Sequence, residues 1–197
     1  MSERIRGMGW RAAYLSAAVA LFLADQASKA WAVRRLRTGE VVRAIDGVLH
    51  FAYAENPGIA FGRLQEGGEF GRWLLAALAG LAVIGLLAYF FRTKRTDDRI
   101  LGAVALLLAG VAGNLCDRIR LGHVIDFIEV YIGSYQWPTF NIADAAICTG
   151  AALLAIDLLL EGRREGRRQK AVRMRRAARD RRRLYHCLLP SAYCLLN

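Results

Sequence analysis

The strongest constraint on this chain is the alternation of long uncharged apolar runs with short, strongly basic segments. Four runs, at residues 12–33, 73–91, 100–116 and 140–160, reach or approach the roughly 20 residues a helix needs to cross about 30 Å of hydrocarbon. With 55% hydrophobic residues and a formal net charge of +11 over 197 residues, apolar and charged positions must be segregated, a layout that no soluble domain requires. The expected fold is therefore a membrane all-α protein with four transmembrane helices. The first run follows Arg4, Arg6 and Arg11 as a secretory signal would. It contains Asp25 and Lys29, however, and has no clear small-residue cleavage site, so it reads as a retained helix.

Lys and Arg near helix ends favour the cytoplasmic side. Arg4, Arg6 and Arg11 open the chain, Arg92, Lys94, Arg95 and Arg99 fill the link between the second and third runs, and an Arg-rich stretch follows the fourth. Both termini are expected in the cytoplasm, with the connections 34–72 and 117–139 facing outward. The expected division is a membrane domain over 1–162 and a basic tail over 163–197, either disordered or lying on the anionic inner leaflet. A nucleic-acid partner is not needed to explain the tail, because a positive flank after a transmembrane helix already has a topological reason. The apolar segment from Leu184 to the end has no functional reading. The four cysteines, Cys116, Cys148, Cys187 and Cys194, lack disulfide-scaffold spacing and are taken as reduced. His186 beside Cys187 has no second close pair, so no metal site is expected.

In the first outward connection, residues 40–45 and 48–53 are β-prone and flank Asp46-Gly47, a favoured two-residue turn. A small hairpin is expected there. Leu49, Phe51 and Tyr53 give it an apolar face for a lipid surface, a substrate or the helix ends.

An ionisable group inside a membrane helix costs about 2.5–3.5 kcal/mol on insertion scales, so each needs a reason. Asp25 and Lys29 are four apart on one helix face; the expectation is a structural pair, with Lys29 reaching toward the headgroups. The alternative is that Asp25 supports a polar site. Asn56-Pro57-Gly58 reads as a turn whose Asn has both a donor and an acceptor to offer. Gly110 and Gly113 allow another helix to approach closely. Asn114, Asp117 and Arg118 share a face at the end of the third run, where an Asp117–Arg118 ion pair is expected to organise a site.

Asp126 has apolar neighbours and no cation close in sequence, so desolvation should raise its pKa. Asp144, in Phe140-Asn141-Ile142-Ala143-Asp144, falls in the first turns of the fourth helix, at the same boundary. Two carboxyls brought together in a poorly hydrated place share a proton; one activates water while the other donates to a scissile carbonyl. A helix-terminal Asp serving only the helix dipole is the alternative, and spacing does not decide between them.

Five motifs stand in order: Asp25-Gln26-Ala27-Ser28-Lys29, Asn56-Pro57-Gly58-Ile59-Ala60-Phe61, Gly113-Asn114-Leu115-Cys116-Asp117-Arg118, Val124-Ile125-Asp126-Phe127 and Phe140-Asn141-Ile142-Ala143-Asp144. In these, over residues 12–160, the chain resembles the lipoprotein signal peptidase (signal peptidase II) family. The resemblance implies an aspartic endopeptidase of the bacterial inner membrane, with Asp126 and Asp144 catalytic and no metal or organic cofactor. It implies supporting or substrate-binding positions at Asn56, Gly110, Asn114, Asp117, Arg118 and Asn141, with Asp25 and Lys29 behind them. The implied substrate is a diacylglyceryl-modified prolipoprotein cleaved before its lipidated Cys, with membrane lipids as further partners and a monomeric enzyme. The Arg-rich tail departs from the family core. Rival readings are a small transporter or proton relay, which would spread its acids through the membrane depth, and a non-catalytic assembly protein, which would tolerate loss of either aspartate.

Overall fold

A computed structural model of the chain describes residues 2–58, 68–93 and 98–163, together with 169, 173 and 174. The chain divides into two compact units, Met1–Leu154 and Ala155–Asn197. The account below concerns the first, apart from the helical end of the last span. In chain order the elements are α1 (Ser2–Leu36), β1 (Val42–Ile45), β2 (Leu49–Asn56), α2 (Gly68–Arg92), α3 (Asp98–Leu121), β3 (Val124–Ile132), β4 (Tyr135–Gln136) and α4 (Ile142–Arg163).

Three of these helices, α2, α3 and α4, are long and apolar enough to cross a membrane. α1 is longer, at 35 residues, but Asp25, Gln26, Ser28 and Lys29 interrupt its apolar run. The spans differ in surroundings: 56% of the apolar window of α3 is buried, against 11% for α2 and 17% for α4. α3 is thus the central helix. Phe90 of α2 and Leu101, Val104 and Leu108 of α3 form a buried cluster completed by Tyr14 and Leu15 of α1.

The expected hairpin is present, with Gly47 at φ 69° in its turn, a conformation glycine adopts without penalty. It is half of something larger. β1, β2, β3 and β4 form one antiparallel four-stranded sheet in that order, in which His50 faces Glu129 and Asn56 faces Val124. A bulge between Phe51 and Ala54 shifts the register of β2 against β3. Phe51 and Tyr53 pack with Ala32, Leu36, Ile125 and Phe127 at the end of α1, so the apolar side of the hairpin meets the helix end. Trp31 closes the seam edge-on to Phe51 and Phe127, at 5.8 and 6.3 Å between ring centres. The sheet is thereby docked at the end of the bundle where α3 finishes and α4 begins.

Candidate active site

At the sheet end of the bundle, five elements bring polar side chains into one layer. Lys29 is its centre and is almost fully buried, at 2% exposure. Its ammonium lies 2.9 Å from Asp25 Oδ2, 2.8 Å from Asp117 Oδ2 and 3.0 Å from Asn114 Oδ1, which uses all three of its N–H donors. Lys29 does not reach for the headgroups, as its sequence position suggested; two buried carboxylates satisfy it better than a membrane surface would. The expected Asp117–Arg118 pair is likewise replaced by Lys29–Asp117. Arg118 points elsewhere: its Nη1 donates weakly to the Asn114 carbonyl at 3.4 Å, and the guanidinium runs beside Gly58.

Asp25 also accepts the backbone N–H of Ala143 at 2.9 Å, tying α1 to the first turn of α4. Gln26 reinforces the layer by donating to Asp117 Oδ1 at 3.0 Å and to the Gly113 carbonyl at 3.3 Å. Such close packing needs small residues on α3. A Cβ on Gly110 would collide with the Ala143 carbonyl, and one on Gly113 would sit 2.6 Å from Asp25 Oδ2.

The two aspartates singled out by sequence meet at this layer. β3 carries Asp126, and the chain entering α4 lies against β3 because Phe140 exchanges backbone hydrogen bonds with Ile128 at 2.8 and 3.1 Å. That contact places Asn141 beside Asp126. Asn141 then joins both carboxyls: its side-chain amide donates to Asp126 Oδ1 at 2.7 Å, and its backbone N–H to Asp144 Oδ2 at 3.3 Å. In return Asn141 Oδ1 accepts the Asp144 N–H at 2.9 Å, so the pair forms a reciprocal cap on α4. Asn114, its oxygen held by Lys29, turns its amide to Asp144 Oδ1 at 2.7 Å. Asn56 completes the set from the end of β2, donating to Asp126 Oδ2 at 2.9 Å while its own oxygen accepts the Gly58 N–H.

Asp126 is 2% exposed, and burial pushes its pKa from 3.8 to about 6. The Asn56 hydrogen bond opposes this, the charge of Asp144 adds to it, and Asn141 and Lys29 pull back. A carboxyl with that balance keeps its proton up to about pH 6, well above the ordinary carboxylate range, and can exchange it in mildly acidic to neutral solution. Among the described residues no three His, Cys, Asp or Glu converge as metal ligands would.

Comparison with known proteins identifies the family to which the chain belongs. The model of the family described as signal peptidase (SPase) II matches residues 17–160, which takes in the whole layer. The chain belongs to the signal peptidase II family. It is 42% identical over 142 residues to the lipoprotein signal peptidase of Geobacter sulfurreducens, covering 72% of this chain and 88% of that one. It is 43% identical over 141 residues to that of Xanthomonas campestris, covering 71% and 84%. Among solved structures it is similar to a bacterial membrane enzyme determined by the in meso method at 1.9 Å, with a TM-score of 0.68, 30% identity and coverage of 75% and 93%. Signal peptidase II family members are proteases, and the aspartic type agrees with two carboxyls in one hydrogen-bonded layer.

All ten sequence-derived positions are thus in or against this layer, although Ile59, Ala60 and Phe61 of the second motif lie outside the described residues, as do His186, Cys187 and Cys194. Three contributors were missed. Gln26 stands between Asp25 and Lys29, and its place inside an intrahelical pair was a usable signal. Ile125 serves through its backbone, its N–H donating to Asp117 at 3.3 Å and its carbonyl accepting from Asn141 at 3.2 Å. Arg72 of α2 donates to the carbonyls of Arg118 and Ile119 at 2.9 and 2.6 Å, capping the end of α3; nothing in its local sequence marks it.

Proposed function

We propose that this chain removes signal peptides from diacylglyceryl-modified prolipoproteins in the bacterial inner membrane, cutting before the lipidated Cys, with Asp126 and Asp144 as the catalytic pair. The observation that carries this reading is Asn141, one residue bonded to both carboxyls at once. The pair shares a proton. The ionised carboxyl takes a proton from water as the water oxygen attacks the scissile carbonyl carbon, and the protonated one donates to the carbonyl oxygen. The tetrahedral intermediate then collapses: a proton passes to the amide nitrogen, the C–N bond breaks, and the dyad returns to one proton. Asn56, Asn114 and Asn141 hold the oxygens in place, while Lys29, itself held by Asp25 and Asp117, fixes the Asn114 oxygen. Arg118 lies within electrostatic reach of Asp126 and Asp144 and beside Gly58, where an extended peptide would enter.

The arrangement also supports α1 as a fourth span, since its polar residues are spent inside the layer while Tyr14, Leu15 and Ala18 pack on the bundle and Val19 and Leu23 remain exposed as apolar outer surface. With basic flanks at the N-terminus, after α2 and after α4, both termini are cytoplasmic and the layer lies at the outer surface. The enzyme acts as a monomer, for both carboxyls come from one chain. A membrane transporter fits less well, because the buried acids gather in one layer.

The test is cleavage of a diacylglyceryl-modified prolipoprotein by the purified protein, beside the unmodified precursor. Asp126→Asn and Asp144→Asn are each expected to lower turnover by about a thousandfold or more with substrate binding retained. Wild-type turnover in either variant would sink the assignment.

A further inference from the structure

Lys29 and Arg118 both carry a positive charge to the polar layer, and only one of them is fully engaged. Lys29 gives all three of its N–H donors to Asp25, Asp117 and Asn114. Arg118 has five donors in a planar fork. Among the described residues its Nη1 makes one long bond, 3.4 Å to the Asn114 carbonyl, and its buried Nε meets no acceptor. Asp117, the neighbour in sequence that could have accepted from it, is held by Lys29 instead. A buried donor left without a partner is destabilising, so a guanidinium in this condition suits a ligand that brings acceptors.

The place of Arg118 selects the ligand. It follows Asn114 by four residues on α3, so the two share a helix face about 6 Å apart along the axis. Asn114 bonds Asp144. On its other side the guanidinium lies against Gly58, two residues beyond Asn56, which bonds Asp126. Arg118 is therefore flanked by residues that hold each of the two carboxyls, and the charges of both reach it. A backbone carbonyl would offer it one oxygen. A carboxylate offers two oxygens in one plane, which match the fork, and a full negative charge.

Hydrolysis makes such a group at this spot. The water oxygen joins the scissile carbonyl carbon and the C–N bond breaks, so the signal peptide ends in a carboxyl group built from the former carbonyl oxygen and the water oxygen. The proton it loses on ionising balances the one gained by the new amino group of the Cys. We propose that Arg118 is a product-binding residue that pairs with the terminal carboxylate of the cleaved signal peptide. The inference rests on the peptidase reading above. The dyad keeps one negative charge after the reaction and would by itself repel that carboxylate; Arg118 reverses the balance. The cleaved signal peptide is consequently held at the site more tightly than an uncharged equivalent, and it competes there with uncleaved substrate.

The experiment uses the full-length enzyme in detergent and a fluorescent signal peptide that stops at the residue before the lipidated Cys. The peptide is made with a free terminal carboxylate or with a carboxamide, and the binding of each is measured by anisotropy at neutral pH, a readout that does not depend on turnover. The wild type is expected to bind the carboxylate about tenfold more tightly than the carboxamide. In Arg118→Gln that ratio should fall to about one, and in Arg118→Lys, which keeps the charge but loses the fork, to about three. Binding of the carboxamide reports that each variant is folded; if Arg118→Gln binds neither peptide, Arg118→Lys decides by the same ratio. Equal or weaker binding of the carboxylate by the wild type, or a tenfold preference that survives in the variants, overturns the role of Arg118 while leaving the peptidase intact. Failure of the wild type to cleave the diacylglyceryl-modified prolipoprotein overturns the peptidase reading, and this inference with it.

Discussion

α2 and α3 have nearly the same length and are neighbours in the bundle, yet they do opposite work. α2 has a mean hydropathy of 2.4 over its apolar window and is 11% buried; α3 has 1.9 and is 56% buried. The less apolar helix is the more enclosed one. In water that would be a contradiction, but in a bilayer the lipid already satisfies apolar surface, and the interior is where polar groups find partners. α2 is a wall, and α3 with its glycines, Asn114 and Asp117 is the frame on which the site is built.

Substitutions that remove a partner from the frame should therefore cost most. Lys29→Met leaves Asp25 and Asp117 facing each other without a cation, and a loss of about 3–5 kcal/mol is expected, seen as a large fall in thermal midpoint in detergent. A midpoint close to wild type would mean that the carboxylates find other partners and that the frame is softer than described. Gly110→Ala presses a methyl group into the Ala143 carbonyl, and about 1–3 kcal/mol of destabilisation is expected. Because the same shift moves Asn114 from Asp144, activity should fall further than stability does; parallel losses would uncouple helix packing from dyad geometry.

A smaller effect is expected on the pH profile. With Asp126 raised to about 6, its proton is present below that pH and lost above it, so kcat/KM should decline as pH rises through about 6. Asn56 favours the ionised form, and Asn56→Ala should move that decline to higher pH. Movement to lower pH would reverse the role assigned to Asn56. Least of all is expected on the wall: Ile84 is 66% exposed on α2, and Ile84→Ala should change stability by no more than about 0.5 kcal/mol.

The same division explains what the sequence made legible. The apolar lengths of α2, α3 and α4, the Asp46-Gly47 turn and the glycine approach at Gly110 and Gly113 are local properties, written in composition and spacing. The ordered motifs marked the residues that meet in the polar layer. Partner choice was not local: Asp117 stands next to Arg118 in sequence but bonds Lys29 of another helix, because the helix face that carries Asp117 turns inward while Arg118 turns toward Gly58. The second half of the sheet was hidden for a related reason. β3 is almost wholly apolar along Val124–Phe127, without the alternation of a half-exposed strand, since α1 and the start of α4 cover it. Arg72 caps α3 across 46 residues of sequence, a distance at which no spacing rule operates.

The reciprocal cap between Asn141 and Asp144 has a consequence for the life history of the protein. The hydrogen bonds that begin α4 are made by Asn141 and Asp144, of which Asn141 also bonds Asp126, and among the described helices long and apolar enough to cross a membrane α4 is the last to be synthesised. A nascent chain made only as far as β3 carries Asp126 but has neither Asp144 nor the Asn141 amide that bonds it. Under the function proposed above, hydrolytic competence therefore arrives only when α4 docks and brings Asn141 and Asp144 to Asp126.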